Sequence, residues 1–414
     1  MRILFLTQLF DPEPTDLKGL LFASELTKMG HQVRVLTCLP NYPDGRIYEA
    51  YRGKIWSHER VSGVEIFRLP LYPSHDRSAL RRALCYLSYG VSSSAAVVPF
   101  GDTDVVHVHQ GPATLAAAAL VDRLIRRVPF VYDIQDVWPD SVKVSGMLTN
   151  RTLLAAAQRW CSFTYRRAAK ITTLSPGMKR LLIARGVAES KVDVVYNWAD
   201  ETLHEVGTQN DALREQLGVA DRFLIMYAGN MGPLQGLDSL LDAAALLRAC
   251  DSRVVFLLVG TGTEAARLQS RARALGLSNV LFIDRQPPDA MKSLYSAADA
   301  LFVQLKNTPL SAVTIPHKIQ GYMAAGKPIL AAIAGDSARL VKQAQAGVVC
   351  EPENAASIAE KARLLEIMSP ERLRSIGAQG RAFYTTHLSM AAGLRHFSRI
   401  YQEAADQARS RAWQ

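Results

Sequence analysis

Paired cysteines are missing from this sequence. Its five cysteines, Cys38, Cys85, Cys161, Cys250 and Cys350, are scattered and show no CxxC spacing. That disfavours a disulfide framework or a thiolate metal site and leaves buried structural thiols. Charge is sparse, at 21% of residues against 49% apolar ones, a balance typical of soluble globular proteins. The 414 residues are enough for two domains with cores of their own. No uninterrupted apolar run approaches the ~18–20 residues that span a bilayer. The opening MRILFLTQLF lacks a basic leader and a small-residue cleavage site, and runs into Asp11-Pro12-Glu13-Pro14. It reads as the first buried strand of a cytoplasmic protein. GxGxxG spacing is absent, which disfavours a nicotinamide cofactor. His107 and His109 alternate on one strand face, yet no HExxH or cysteine companion accompanies them. Satisfied histidines are therefore expected there, not a metal site.

What charge there is lies unevenly. Residues 1–191 hold 25 Lys/Arg against 16 Asp/Glu, whereas residues 192–414 hold 23 against 22. A basic N-terminal half attracts a polyanion or an anionic membrane surface. In "YPSHDRSALRRALCYLSYGVSSSAAVVPF", Arg77, Arg81 and Arg82 open an apolar, aromatic helix. That pattern suits a membrane interface, or else a core-facing helix with a solvated basic first turn.

Apolar strands alternate with helices throughout. In the first half the strands are expected at Ile3–Thr7, Val33–Thr37, Val64–Leu69, Val105–His109, Phe130–Ile134, Ile171–Leu174 and Val192–Tyr196. A second series runs Phe223–Ala228, Val254–Val259, Val280–Ile283, Ala300–Leu305, Ile329–Ala332 and Val348–Cys350. Such runs predict α/β architecture with two doubly wound, Rossmann-like parallel sheets. The polar stretch Asn197–Asp211 separates them, giving domains of 1–196 and 197–396.

Four stretches carry candidate chemistry. In "MYAGNMGPLQGLDSLLDAA" a strand ends at Ala228, and Gly229, Gly232 and Gly236 lead into a helix starting near Gly236. This aims backbone N–H groups at a phosphate, or simply permits a tight turn. "LLVGTGTEAARL" repeats the logic, with Gly260 and Gly262 leaving room at the next strand end. In "TIPHKIQGYMAAGKPIL", Pro316 is expected in a first helical turn, where its missing N–H costs nothing, and Lys318 follows in the same turn. A cation there opposes the helix dipole unless an anion is bound, so Lys318 is read as neutralising a diphosphate. In "VYDIQDVWPDS" Asp136 follows a buried strand and could orient a substrate or cap a turn. Asp133, inside that strand, reads as a paired buried acid.

In their order along the chain, "MGHQVRVLTCLPNYPDGRIYEAYRG", "YDIQDVWPDS", "YNWAD", "YAGNMGPLQGL", "VGTG" and "PHKIQGYMAAGKPIL" resemble the retaining family-4 glycosyltransferases of GT-B type. The branch they resemble includes bacterial surface-polysaccharide fucosamine and N-acetylsugar transferases. The resemblance implies a nucleotide-sugar donor, usually a UDP-sugar, in the C-terminal domain, and parallel sheets facing a central cleft. It implies a polyprenyl-diphosphate-linked acceptor in the N-terminal domain, at the inner face of the cytoplasmic membrane, with peripheral attachment there. No cofactor, metal or nucleic acid is implied, and helix 397–414 returns to the N-terminal domain. Lys318, Arg285 and Asp136 take the catalytic positions. The donor side takes Gly229, Asn230, Gly232, Gln235, Gly260, Gly262, Ile315, Pro316 and Ile319. The acceptor side takes His109, Gln135, Asp136 and Trp138. Two glutamates common in the family are replaced by Val313 and Gly321. That loss keeps two alternatives open: a non-catalytic nucleotide-sugar-binding partner, and a GT-B epimerase.

Overall fold

The uninterrupted apolar strands have the physical consequence expected of them: both faces of each sheet are covered. The structure is a computed structural model that describes residues 1–14, 18–75, 78–141, 150–201, 210–412. Its chain divides into two units, Met1–Tyr196 with Gly393–Gln414, and Asn197–Ala392.

The first unit holds eight strands: β1 (Arg2–Leu6), β2 (Gln32–Cys38), β3 (Ser57–Val61), β4 (Val64–Leu69), β5 (Val105–His109), β6 (Phe130–Ile134), β7 (Lys170–Thr173) and β8 (Val192–Val194). Their order in the sheet is β3-β4-β2-β1-β5-β6-β7-β8. All pair in parallel except β3, which forms an antiparallel hairpin with β4. Sequence reading missed β3 because Ser-His-Glu-Arg-Val is polar and mostly exposed, as an edge strand should be.

The second unit holds β9 (Phe223–Ala228), β10 (Val254–Val259), β11 (Val280–Ile283), β12 (Ala300–Gln304), β13 (Ile329–Ala332) and β14 (Gly347–Cys350). Their order is β11-β10-β9-β12-β13-β14, all parallel. Every residue of β9 and β10 is buried, and helices Asp238–Ala249 and Ala355–Glu366 pack on this core. The last helix, Met390–Ala412, belongs from Gly393 onward to the first unit. There Phe397 meets Phe22 edge-on, and the Tyr401 hydroxyl meets His107 Nδ1 at 2.8 Å.

The Ala79–Val97 helix begins at a Ser78 cap whose side chain accepts the Arg81 N–H. The stretch Leu80–Phe100 is long and apolar enough, by length and composition alone, to cross a membrane. A search for unbroken apolar runs overlooks it because Arg81, Arg82, Ser88 and Ser92–Ser94 interrupt it. Leu80, Leu84, Leu87 and Val91 recur on one helical face and are exposed, Leu80 and Val91 at 71% each.

Candidate functional site

In each sheet the strand order reverses at one place, and open α/β sheets bind ligands outside the strand carboxyl ends there. In the second unit that place is β9, flanked by β10 and β12. β9 runs into Gly229-Asn230-Met231-Gly232, then a short 3-10 turn at Pro233–Gln235. The following helix begins at Asp238, not at Gly236 as expected, because Gly236 adopts φ 59° and closes the short turn.

Lys318 reaches the same turn from 89 residues further along, in the first turn of the His317–Ala324 helix, with Pro316 as its cap. A β-carbon on Gly229 would stand 2.6 Å from Lys318 Cε. Gly229 also has φ 132°, so glycine alone lets the lysine cross here. Lys318 Nζ donates to the Tyr227 hydroxyl at 2.6 Å and lies 4.0 Å from that ring's centroid. The Tyr227 hydroxyl in turn donates to the Asn230 carbonyl. Among the described residues no carboxylate pairs with Lys318, and burial moves its ammonium down to about 7. A cation so placed, beside a glycine turn at a switch point, is matched to a diphosphate.

Other donor-side expectations are redistributed. Gln235 Oε1 accepts the Gly232 N–H at 3.0 Å, so it braces its own turn. At Gly260 and Gly262 the side-chain direction is filled by the neighbouring loop: β-carbons there would stand 2.1 Å from Gly229 O and 2.3 Å from Met231 O, so only their backbone could face a donor. Parallel pairing of β9 with β10 sets their two loops back to back, and these glycines permit that contact. Ile315 and Ile319 are buried, so only their backbone remains for a donor. Arg285 is exposed in the loop after β11, an edge strand two places from β9. At ~4.8 Å per strand that is roughly 10 Å from the glycine turn. Two residues escaped sequence reading. Tyr227 looks like one more buried strand residue. Lys306 follows β12, and a β-carbon on Gly236 would stand 3.1 Å from its Cγ; only the chain's return to the turn reveals it.

In the first unit the reversal lies between β1 and β5. Register puts His109 beside Asp133 and Asp133 beside Thr172. Asp133 Oδ2 accepts from Lys18 Nζ at 2.8 Å and Gln135 Nε2 at 2.8 Å, and meets His109 Nδ1 at 2.9 Å. Oδ1 accepts from Thr172 Oγ1 at 2.7 Å. Burial alone would raise the Asp133 carboxyl, but the Lys18 ammonium and His109 outweigh it and hold it well below the usual carboxylate range. His107, His109 and Asp133 stand close enough together to hold a metal ion, yet the Lys18 ammonium already occupies the carboxylate. Burial pushes His107 down to about 3, so it stays neutral.

Beside this cluster opens a cavity of about 430 Å³. His109, Gln135, Asp136 and Trp138 all line it, so the structure brings the expected acceptor-side residues together. Asp136 is exposed at its rim. Arg81 is exposed and Arg82 half-buried at the start of the Ala79–Val97 helix, while Arg77 lies outside the described residues.

Two Rossmann-like parallel-sheet domains, with a lysine-bearing glycine turn at the second one's switch point, define the GT-B class. The chain matches the family described as Glycosyl transferase 4-like domain over residues 20–198, and Glycosyl transferases group 1 over residues 209–383. It is 31% identical over 311 residues, 73% of this chain and 75% of the relative, to the "Putative colanic acid biosynthesis glycosyl transferase WcaI" of Escherichia coli (strain K12). This chain therefore belongs to the glycosyltransferases of that 4-like, group 1 kind. Its fold is shared with Anabaena Alr3699/HepE, solved in complex with UDP and glucose: TM-score 0.67, 20% identity, covering 97% of this chain and 99% of that one. It is shared too with WaaG, "a glycosyltransferase involved in lipopolysaccharide biosynthesis": TM-score 0.63, 18% identity, covering 96% and 99%.

Proposed function

We propose that this glycosyltransferase moves a sugar, with retention, from a UDP-sugar to a polyprenyl-diphosphate-linked acceptor during surface-polysaccharide assembly. The observation that carries the reading is Lys318, a cation lying across the Gly229 turn with no carboxylate partner among the described residues. Lys318 and the helix N-termini stabilise the negative charge that develops on the departing diphosphate, so that no metal is required. Lys306, close against Gly236, is a second cation for the diphosphate beside Arg285. The acceptor hydroxyl attacks the same face of the donor sugar, with Asp136 orienting it. The WcaI and WaaG names support the polysaccharide setting, and the HepE complex supports UDP as the nucleotide.

The exposed Leu80, Leu84, Leu87 and Val91 face, beside a basic first turn, supports peripheral attachment to the inner face of the cytoplasmic membrane. Leu84→Ser with Leu87→Ser should release the protein from anionic vesicles; unchanged sedimentation with them would remove the membrane from the reading.

The site is tested by thermal stabilisation with UDP-, GDP- and dTDP-sugars, with and without a chelator. A chelator-insensitive shift with UDP-sugars is expected. Val313 and Gly321 at the family's glutamate positions favour a second reading, a donor-binding protein without transfer. Donor stabilisation with no acceptor-dependent release of UDP would favour it.

A further inference from the structure

Part of the first unit's cavity wall is polar and unpartnered. Gln8 Oε1, Ser74 Oγ, Ser141 Oγ and both amide atoms of Gln110 are buried and lack a hydrogen-bond partner, and all four residues line the cavity. Gln8 is 7% exposed and Gln110 3%. The Gln8 amide nitrogen has only a weak contact, 3.5 Å to Cys85 Sγ. The Gln110 amide approaches the Tyr132 phenol, without normal hydrogen-bond geometry. Leaving a buried amide unmade costs about 1–3 kcal/mol. Several such groups around one cavity call for a partner that enters it, ordered water in the free protein and a polar ligand in the complex.

Charge and shape narrow the ligand. The one ammonium on the described wall, Lys18, is bound to Asp133, and no arginine lines the cavity among the described residues. Among the described residues a diphosphate finds no unpaired counter-charge on this wall. Amides and hydroxyls, each able to donate and accept, match sugar hydroxyls and an N-acyl group. Tyr42 and Trp138 supply aromatic surface for the apolar face of a ring. The volume falls in the ordinary ligand range of ~300–1,000 Å³.

We propose that this cavity holds a neutral, hydroxyl- and amide-bearing sugar ring of the acceptor, and that Gln8 and Gln110 select it. The inference rests on the acceptor-side reading of the first unit. The sugar's diphosphate lies outside the cavity, so the pocket reads the ring and not the anion.

The test titrates the full-length protein with methyl N-acetyl-α-D-glucosaminide, methyl α-D-glucoside and methyl α-D-glucuronide by saturation-transfer NMR. Gln110→Leu and Gln8→Met are compared with the unchanged protein, and thermal midpoints confirm folding. The neutral glycosides should bind, the amide-bearing one best, and each substitution should weaken it about tenfold or more. UDP-sugar stabilisation should stay unchanged in both variants. If Gln110→Leu does not fold, Gln8→Met decides. Preference for the glucuronide, no binding at saturating concentration, or binding indifferent to both substitutions overturns the inference. A normal UDP-sugar shift with indifferent variants leaves the proposed function standing while this falls. Loss of glycoside binding in the variants of a protein that no UDP-sugar stabilises does the reverse.

Discussion

Each unit carries a lysine near its switch point, and the two are held in opposite ways. Lys18 is buried and paired with the buried Asp133 at 2.8 Å, side chains 1% and 0% exposed. Lys318 has a tyrosine hydroxyl and an aromatic face but no described carboxylate. The first charge is consumed in the fold, holding β6 and the loop after β1 together. The second is left electrostatically incomplete, which weakens the free protein and favours the complex with an anion. Placement at a switch point therefore does not identify a ligand cation; its partner does.

The sharpest way to break this contrast is to remove Asp133. Asp133→Asn leaves the Lys18 ammonium buried beside a neutral amide, and breaking one side of a buried pair costs about 3–5 kcal/mol. Urea unfolding followed by far-UV circular dichroism should show that loss. A loss below about 1 kcal/mol would mean the pair is not structural. Lys318→Ala is the counterpart. It should cost the free protein only about 1 kcal/mol, for the lost bond to the Tyr227 hydroxyl, yet it should remove about 3 kcal/mol of barrier lowering, on the order of 10²–10³ in kcat. Near-full turnover at saturating donor would end its assignment.

Much of this contrast was readable from sequence on one side only. The strands whose apolar runs are unbroken, such as Val64–Leu69, Phe223–Ala228 and Val254–Val259, have their expected ends, because burial on both faces leaves a continuous signal. Gly229 and Lys318 were legible as separate anomalies: a glycine turn, and a cation at the wrong end of a helix. The family resemblance assigned both to one diphosphate; the side chain that joins them was not legible. Tyr227 sits 91 residues from Lys318 and carries no local signature. Gln8 and Gln110 look like ordinary loop residues until β1 and β5 become neighbours. At Gly260 and Gly262 the sequence did not show that a neighbouring backbone fills the side-chain direction, since space for a ligand and space for a neighbouring backbone look alike in sequence.

Proton linkage sharpens the comparison at smaller scale. Free Lys318 titrates at about 7, and a diphosphate requires its charged form, so its value rises in the complex. Donor binding then takes up a proton above neutrality. Affinity should be full below pH 7 and fall by up to about tenfold per unit as pH rises above it. A UDP-sugar is the right probe, because a terminal phosphate would itself titrate near pH ~6. Lys318→Arg, fixed as a cation, should flatten the profile. A profile equally steep in that variant would place the titrating group elsewhere.

Tyr227→Phe carries the smallest expected effect and discriminates most finely. It keeps the ring beneath the ammonium and deletes the hydroxyl that links Lys318 to the Asn230 carbonyl. The lost hydrogen bond is worth about 1 kcal/mol. Without it the buried ammonium is less well solvated, so its titration moves lower still. At pH 6 the variant's lysine remains mostly charged and donor affinity should be close to that of the unchanged protein. At pH 8 the neutral fraction grows and affinity should fall about fivefold. A purely packing role for Tyr227 would instead weaken the donor equally at both pH values. The difference between the two pH values, not either one alone, tells whether the hydroxyl keeps Lys318 ready for its anion.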